Sequence, residues 1–185
     1  ITGSTDAGEN IAFFGGYSHD SKIGIRNDGG FGMRFMSHSI DFCTQHYVGS
    51  GTVEFQSCWF ETAQFTATDA AAGNFSTIQY RFDVATGGEV KLFGGFLQVN
   101  GDPALNTHPT HFFRVADNGR ITLRDVTAYN LMGSTGELAT GTGRFDCQGL
   151  KYGGYFSIPP IGLATDAHNV FGPAGRFEGT GINLV

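Results

Sequence analysis

A nine-residue motif recurs along this chain with its residue types in phase, and this repeat constrains the fold more than any single residue does. Residues 11–19, 33–41, 53–61, 90–98, 121–129 and 145–153 align without gaps, and their starts lie 22, 20, 37, 31 and 24 residues apart. A degenerate seventh copy begins at Phe177. A period of this length built from strand-like pieces is the signature of a solenoid in which each copy contributes one coil. Positions one and three of the motif are apolar, as in Ile11 and Phe13, Val53 and Phe55, or Ile121 and Leu123. Position two is mostly polar, with Arg34, Glu54, Lys91, Thr122 and Asp146. That alternation describes a strand with one buried face. Position five is Gly15, Ser37, Ser57, Gly94, Asp125 or Gly149, all turn formers. Apolar residues then return at positions six and eight, as in Cys58 and Phe60 or Val126 and Ala128. The chain therefore runs one strand, bends, and runs a second strand on a new face. A hairpin would pair neighbours inside one repeat, whereas a bend followed by a restart one period later suits a coil, with like residues stacked about 4.8 Å apart in parallel sheets.

A longer match fixes the register. Residues 82–92 align with residues 113–123, so a third strand and a Gly-containing turn lead into position one. Residues 40–51 and 138–143 fill that role more loosely. The two widest spacings require insertions near 62–77 and 99–111, and loops of this kind often wall a binding site. The expected fold is all-β: a right-handed, single-stranded parallel β-helix over residues 1–153. Residues 154–185 form a last coil or a C-terminal cap or trimerisation segment. Because the chain opens on a loop-like stretch without an initiator Met, it reads as a piece of something longer.

Composition narrows the function. The chain has 29 Gly and 18 Phe but only 11 Lys plus Arg in 185 residues, with a net charge of −6. That balance argues against nucleic acid, because neutralising phosphates takes clustered cations. No apolar run approaches the roughly 18 residues of a membrane-spanning helix. The sequence contains no phosphate-binding loop, zinc-protease or nucleophile-elbow motif. Cys43, Cys58 and Cys147 are odd in number and widely spaced, and read as buried free thiols. His108 and His111 are the nearest approach to a metal pair, but they fall in a loop with no third ligand. No metal or cofactor is expected.

Columns of the stacked repeat are more informative. Position two alternates in charge from coil to coil, which suggests cross-strand pairing on one outer face. Positions seven and nine point outward on the second strand. Position seven reads Tyr17, Ser39, Trp59, Phe96, Thr127 and Lys151, and position nine reads His19, Asp41, Glu61, Gln98, Tyr129 and Gly153. Large aromatics on an outer face imply a partner. Rings beside acids and amides suit a carbohydrate, whose C–H faces stack on rings while its hydroxyls bond to polar groups. Burial of the same rings against another copy of the chain is the competing reading, and the two are compatible along a groove between subunits.

Asp41 and Glu61 occupy one position in adjacent coils, which would place their Cα atoms about 5 Å apart. Two carboxyls that close resist double ionisation and can supply an acid and a base. Their separation would decide between retaining and inverting hydrolysis. Two ordinary surface acids, neutralised by His19, His38 or Arg34, are the plainer reading. Glu54, Asp69, Asp83 and Asp102 are further acidic candidates.

Two of these segments carry a resemblance. Ser39-Ile40-Asp41-Phe42-Cys43, followed one coil later by Val53 through Glu61, resembles the parallel β-helix of bacteriophage tailspikes, within the wider pectin-lyase-like group. The likeness spans roughly residues 9–153 and rests on repeat shape. It implies a homotrimeric virion protein of the phage tail, acting at the bacterial cell surface, that binds and cleaves capsule or O-antigen polysaccharide. The family places its catalytic acids variously, so no catalytic residue transfers by motif. The expected activity is a polysaccharide depolymerase. Glycoside hydrolysis by Asp41 and Glu61 is favoured, with Tyr17, His19, Trp59, Phe96, Gln98, Tyr129 and Arg34 contacting substrate. A lyase acting on a uronate-containing glycan is the variant. It needs a cationic clamp, from Arg34, Lys91 or Arg124, and a base, from His19, His38, His46 or Tyr129. A non-catalytic glycan-binding module and a purely structural fibre segment are the other classes.

Overall fold

The computed structural model describes residues 10–29, 32–62, 80–99, 111–129 and 137–153. All of its regular structure is β. The first two coils comprise β1 (Asn10–Phe14), β2 (Tyr17–His19), β3 (Ile23–Asn27), β4 (Gly32–Met36), β5 (Ser39–Cys43) and β6 (Gln45–Gly49). The next two comprise β7 (Thr52–Gln56), β8 (Trp59–Thr62), β9 (Tyr80–Val84), β10 (Glu89–Phe93), β11 (Phe96–Val99) and β12 (His111–Val115). Then come β13 (Arg120–Arg124), β14 (Thr127–Tyr129), β15 (Glu137–Gly141), β16 (Arg144–Gln148) and β17 (Lys151–Gly153).

Every third strand joins the same sheet. The first sheet runs β1-β4-β7-β10-β13-β16, the second β2-β5-β8-β11-β14-β17, and the third β3-β6-β9-β12-β15. All pairings are parallel, so the chain is a three-sided parallel β-helix. The pairing register is the motif register: Met33 opposes Val53, Val53 opposes Val90, Val90 opposes Ile121, and Ile121 opposes Phe145.

The core is a set of columns inside these walls. Position three stacks Phe13 on Phe35 at 4.6 Å with rings 6° apart, and Phe35 on Phe55 at 5.3 Å. The third sheet contributes Ile25, Tyr47, Phe82, Phe113 and Ala139 in one column. All five are buried. Like apolar residues stacked at one strand spacing bury their surface on each other, so each coil completes its neighbour's core. Phe35, Phe55, Phe60, Phe82, Phe112, Phe113 and Phe145 all lie in this core.

The bend at position five has a definite backbone cause. Gly15, Ser37, Ser57, Gly94, Asp125 and Gly149 all adopt left-handed φ, between 51° and 67°. One such residue turns the strand from the first sheet into the second. The turns are themselves laddered: Ser37 N donates to Gln56 O and Ser57 N to Phe93 O, at 2.9 Å each. The preference for Gly, Ser and Asp at this position follows from that conformation.

One strand differs from its expected place. Residues 40–42 lie on β5, in the second sheet, and the third strand of that coil is β6. Phe42 is the reason: at φ 53° it forms a second left-handed corner, with a register shift between Asp41 and Cys43. The expected insertions, the seventh copy at Phe177 and the segment 154–185 lie outside the described residues, apart from the edges of those insertions.

Candidate functional site

The outer face of the second sheet assembles most of the predicted site. Tyr17, Ser39, Trp59, Phe96, Thr127 and Lys151 form one in-register column. His19, Asp41, Glu61, Gln98 and Tyr129 form the next. Residues two apart on a strand share a face, and side chains of the two columns meet along the strand in the first three coils. The Ser39 hydroxyl lies 2.6 Å from both Asp41 carboxylate oxygens. One coil on, Trp59 Nε1 donates to Glu61 Oε2 at 3.2 Å. Tyr17 meets the edge of His19 at 6.3 Å. Thus the position-seven side chain holds the position-nine carboxylate in two successive coils, while His19 is held by Asp20, at 2.7 Å.

Asp41 and Glu61 are direct strand partners, which places their Cα atoms about 4.8 Å apart. Both are half-buried, and each accepts a hydrogen bond from its own strand. Trp59, 43% exposed, stacks on Phe96 with ring centroids 4.5 Å apart and planes 27° apart. Tyr17 is 74% exposed, whereas Phe96 and Tyr129 are half-buried. The face therefore offers a two-ring platform, a separate exposed ring two coils away, and an acid pair beside the platform.

Phe42 is a member that sequence reasoning missed. Its left-handed corner turns the ring outward, where it meets the edge of His19 at 5.3 Å. The clue lay in the coil before: Asp20, which also adopts left-handed φ, follows His19 as Phe42 follows Asp41.

Other candidates lie elsewhere. Arg34 stands on the first sheet, not the second, and pairs with Glu54 at 3.0 Å. Its distance in the fold from Trp59 and Glu61 follows from its place at position two, before the bend. Glu54 is thereby engaged, and Asp83 is engaged by Arg114 on the third sheet. Asp69 and Asp102 lie outside the described residues. Between two position-two residues the charge alternation yields one cross-strand ion pair among the described residues, Arg34 with Glu54. Lys91 instead pairs along its own strand with Glu89, at 2.8 Å.

Two of the proposed bases face inward. His38 is 8% exposed; its Nδ1 lies 2.7 Å from the Gly15 carbonyl and its Nε2 3.1 Å from the Ser18 hydroxyl. His46 is fully buried among Phe60, Phe82 and Phe112. Neither of its ring nitrogens has a hydrogen-bond partner among the described residues. Burial, and then the neighbouring Arg81 guanidinium, hold its pKa well below the usual histidine value. Only His19 and Tyr129 of that set stand on the outer face.

The three cysteines are buried and unpaired with one another. Burial pushes all three thiols up, Cys147 to about 11, which keeps them protonated and unreactive near neutral pH. Among the described residues, no three His, Cys, Asp or Glu side chains are grouped to hold a metal.

No family model matches the chain, and no curated protein or solved structure matches it either. The case for its function therefore rests on the residues of this face.

Proposed function

We propose that the chain is the β-helical part of a polysaccharide depolymerase of the phage-tailspike kind, a homotrimer carried on the virion, that binds bacterial capsule or O-antigen and hydrolyses its glycosidic bonds. One observation carries the reading: the strand pairing of Asp41 with Glu61 beside the Trp59–Phe96 stack, on one outward face. A sugar ring resting on the indole would present its glycosidic oxygen to the adjacent carboxyls. One would protonate the leaving oxygen, and the other would act as nucleophile or activate water. Gln98 and Tyr129, next along the same column, would bond hydroxyls of the following sugar.

The deciding experiment is incubation with a panel of purified bacterial capsules, followed by sizing of the products. Shortened chains without ultraviolet absorbance support hydrolysis. Products with an unsaturated sugar would move the assignment to the lyase variant, with His19 or Tyr129 as base. Binding to every capsule tried with no shortening of any would replace the enzyme by a binding module. The Ser39 and Trp59 hydrogen bonds onto the two carboxylates favour this second reading, because they hold both acids as fixed acceptors for sugar hydroxyls.

A further inference from the structure

The outer face of the first sheet carries a second cluster over its last three strands, β10, β13 and β16. Lys91, Arg120, Arg124 and Arg144 stand there against Glu89 and Asp146. The face has an excess of two positive charges in a chain whose net charge is −6. Counting the adjoining corner leaves the excess unchanged, since Asp125 is balanced by Lys151.

Arg120 and Arg144 are direct strand partners, about 4.8 Å apart at Cα. Like charges in that relation repel. A single carboxylate holds them together. Arg120 donates to Asp146 Oδ2 through Nε, at 2.8 Å, and through Nη2; Arg144 Nε donates to Oδ1 at 3.1 Å. Asp146 itself points out from the sheet, yet its side chain is 2% exposed, while the side chains of both arginines are 41% exposed. Asp146 is thus a covered anchor that fixes two arginines in place. Arg120 Nη1 and both terminal amino groups of Arg144 have no acceptor among the described residues. Arg124 lies on the strand of Arg120, four residues on, and among the described residues its side chain makes one hydrogen bond, from Nη1 to the Leu123 carbonyl at 3.3 Å.

We propose that Arg120, Arg144 and Arg124 form an oxyanion clamp for the acidic sugars of a charged polysaccharide, with Asp146 as the positioning residue. Fixed planar guanidiniums match carboxylate or sulfate oxygens two at a time, and an arginine pair locked by a covered carboxylate loses little side-chain freedom on binding. The choice of a glycan as occupant rests on the proposed function. Arg124 ends β13 at the bend into the second sheet, so the clamp adjoins the corner that leads to the aromatic face.

The test measures binding of a galacturonate oligosaccharide and of a neutral malto-oligosaccharide of equal length, at low and high salt. The expected result is tighter binding of the acidic sugar, weakened by salt. Arg124→Gln with Arg144→Gln should lower its affinity about tenfold or more, which is about 1.4 kcal/mol. Arg144→Lys keeps the charge without the planar fork and should fall between. Asp146→Asn should weaken acidic binding although it removes a negative charge, the opposite of what a simple electrostatic patch would show. Equal binding of the two sugars by the wild-type protein, or unchanged affinity in the arginine variants, overturns the clamp. Capture of nucleic acid in place of the uronate also overturns it. If no capsule is cleaved but uronate binding still depends on Arg144, the depolymerase reading falls and the clamp stands.

Discussion

Trp59 and Phe60 are adjacent on one strand and face opposite ways, so truncating each in turn separates groove from core. Phe60 is 1% exposed and touches three rings: Phe55 at 5.0 Å, Phe82 at 5.3 Å and His46 at 5.4 Å. Phe60→Ala removes a ring from the middle of the stack and leaves a cavity between coils, at a cost of about 3–5 kcal/mol. Among the described residues Trp59 meets one ring, Phe96, and it is 43% exposed. Trp59→Ala forfeits one stacked pair and part of a buried face, about 1–2 kcal/mol in all. At roughly 2–4 °C per kcal/mol for a chain of this size, thermal unfolding should fall by on the order of 10 °C for Phe60→Ala and by a few degrees for Trp59→Ala. Glycan binding should reverse the order. Trp59→Ala should weaken it about tenfold, whereas Phe60→Ala protein that remains folded at low temperature should bind nearly as wild type. Thermal unfolding followed by circular dichroism, with titration of a capsule oligosaccharide, reads both quantities. Equal destabilisation by the two substitutions would refute the inward–outward assignment, and full binding by Trp59→Ala would refute the platform.

Three further outcomes follow from particular residues. Asp41→Asn and Glu61→Gln should each abolish cleavage without lowering the unfolding temperature appreciably, as sizing gels and a melting curve will show; full activity in both removes the pair from the mechanism. His46 is neutral in its aromatic cage, so the unfolded chain binds a proton below pH about 6.5 that the folded chain refuses. Folding stability should therefore be complete above that pH and fall by up to about 1.4 kcal/mol per unit below it; urea titrations of His46→Phe should show a shallower acid slope, and an unchanged slope contradicts this. Gly95 has φ 83°, and a Cβ there would lie 2.2 Å from the Cys58 carbonyl oxygen, so Gly95→Ala should cost about 2 kcal/mol or more in the same titration, whereas a neutral result would mean that the corner rearranges freely.

Much of this molecule is legible in one dimension because a solenoid turns sequence period into spatial neighbourhood. Once the motif starts are aligned, every column of the first and second sheets can be written down, and the pairs Asp41 with Glu61 and Trp59 with Phe96 follow without coordinates. Alternation assigns Val53 and Phe55 to the core and Glu54 to the outside by the pleat alone. Position five announces its left-handed backbone through Gly, Ser and Asp, the residues that tolerate it. These are local rules, repeated.

What only the tertiary structure decided is where local rules compete or where side chains reach past their own column. Phe42 carries no turn-former signature, yet the register shift after Asp41 makes it a corner and places its ring on the outer face. Position two promised a ladder of alternating charges; Arg34–Glu54 is one rung of it, but the reach of long side chains took Lys91 to Glu89 and put Arg120 and Arg144 on Asp146. His46 looks like any polar residue in the sequence, and packing among Phe60, Phe82 and Phe112 put it inside, whereas His38 stands at the inward position six of its motif copy. The repeat alone determines which residues share a column, because strand spacing is the same in every coil. Which partner a flexible side chain takes is set by the three-dimensional surroundings, because several acceptors lie within reach and only their placement selects one.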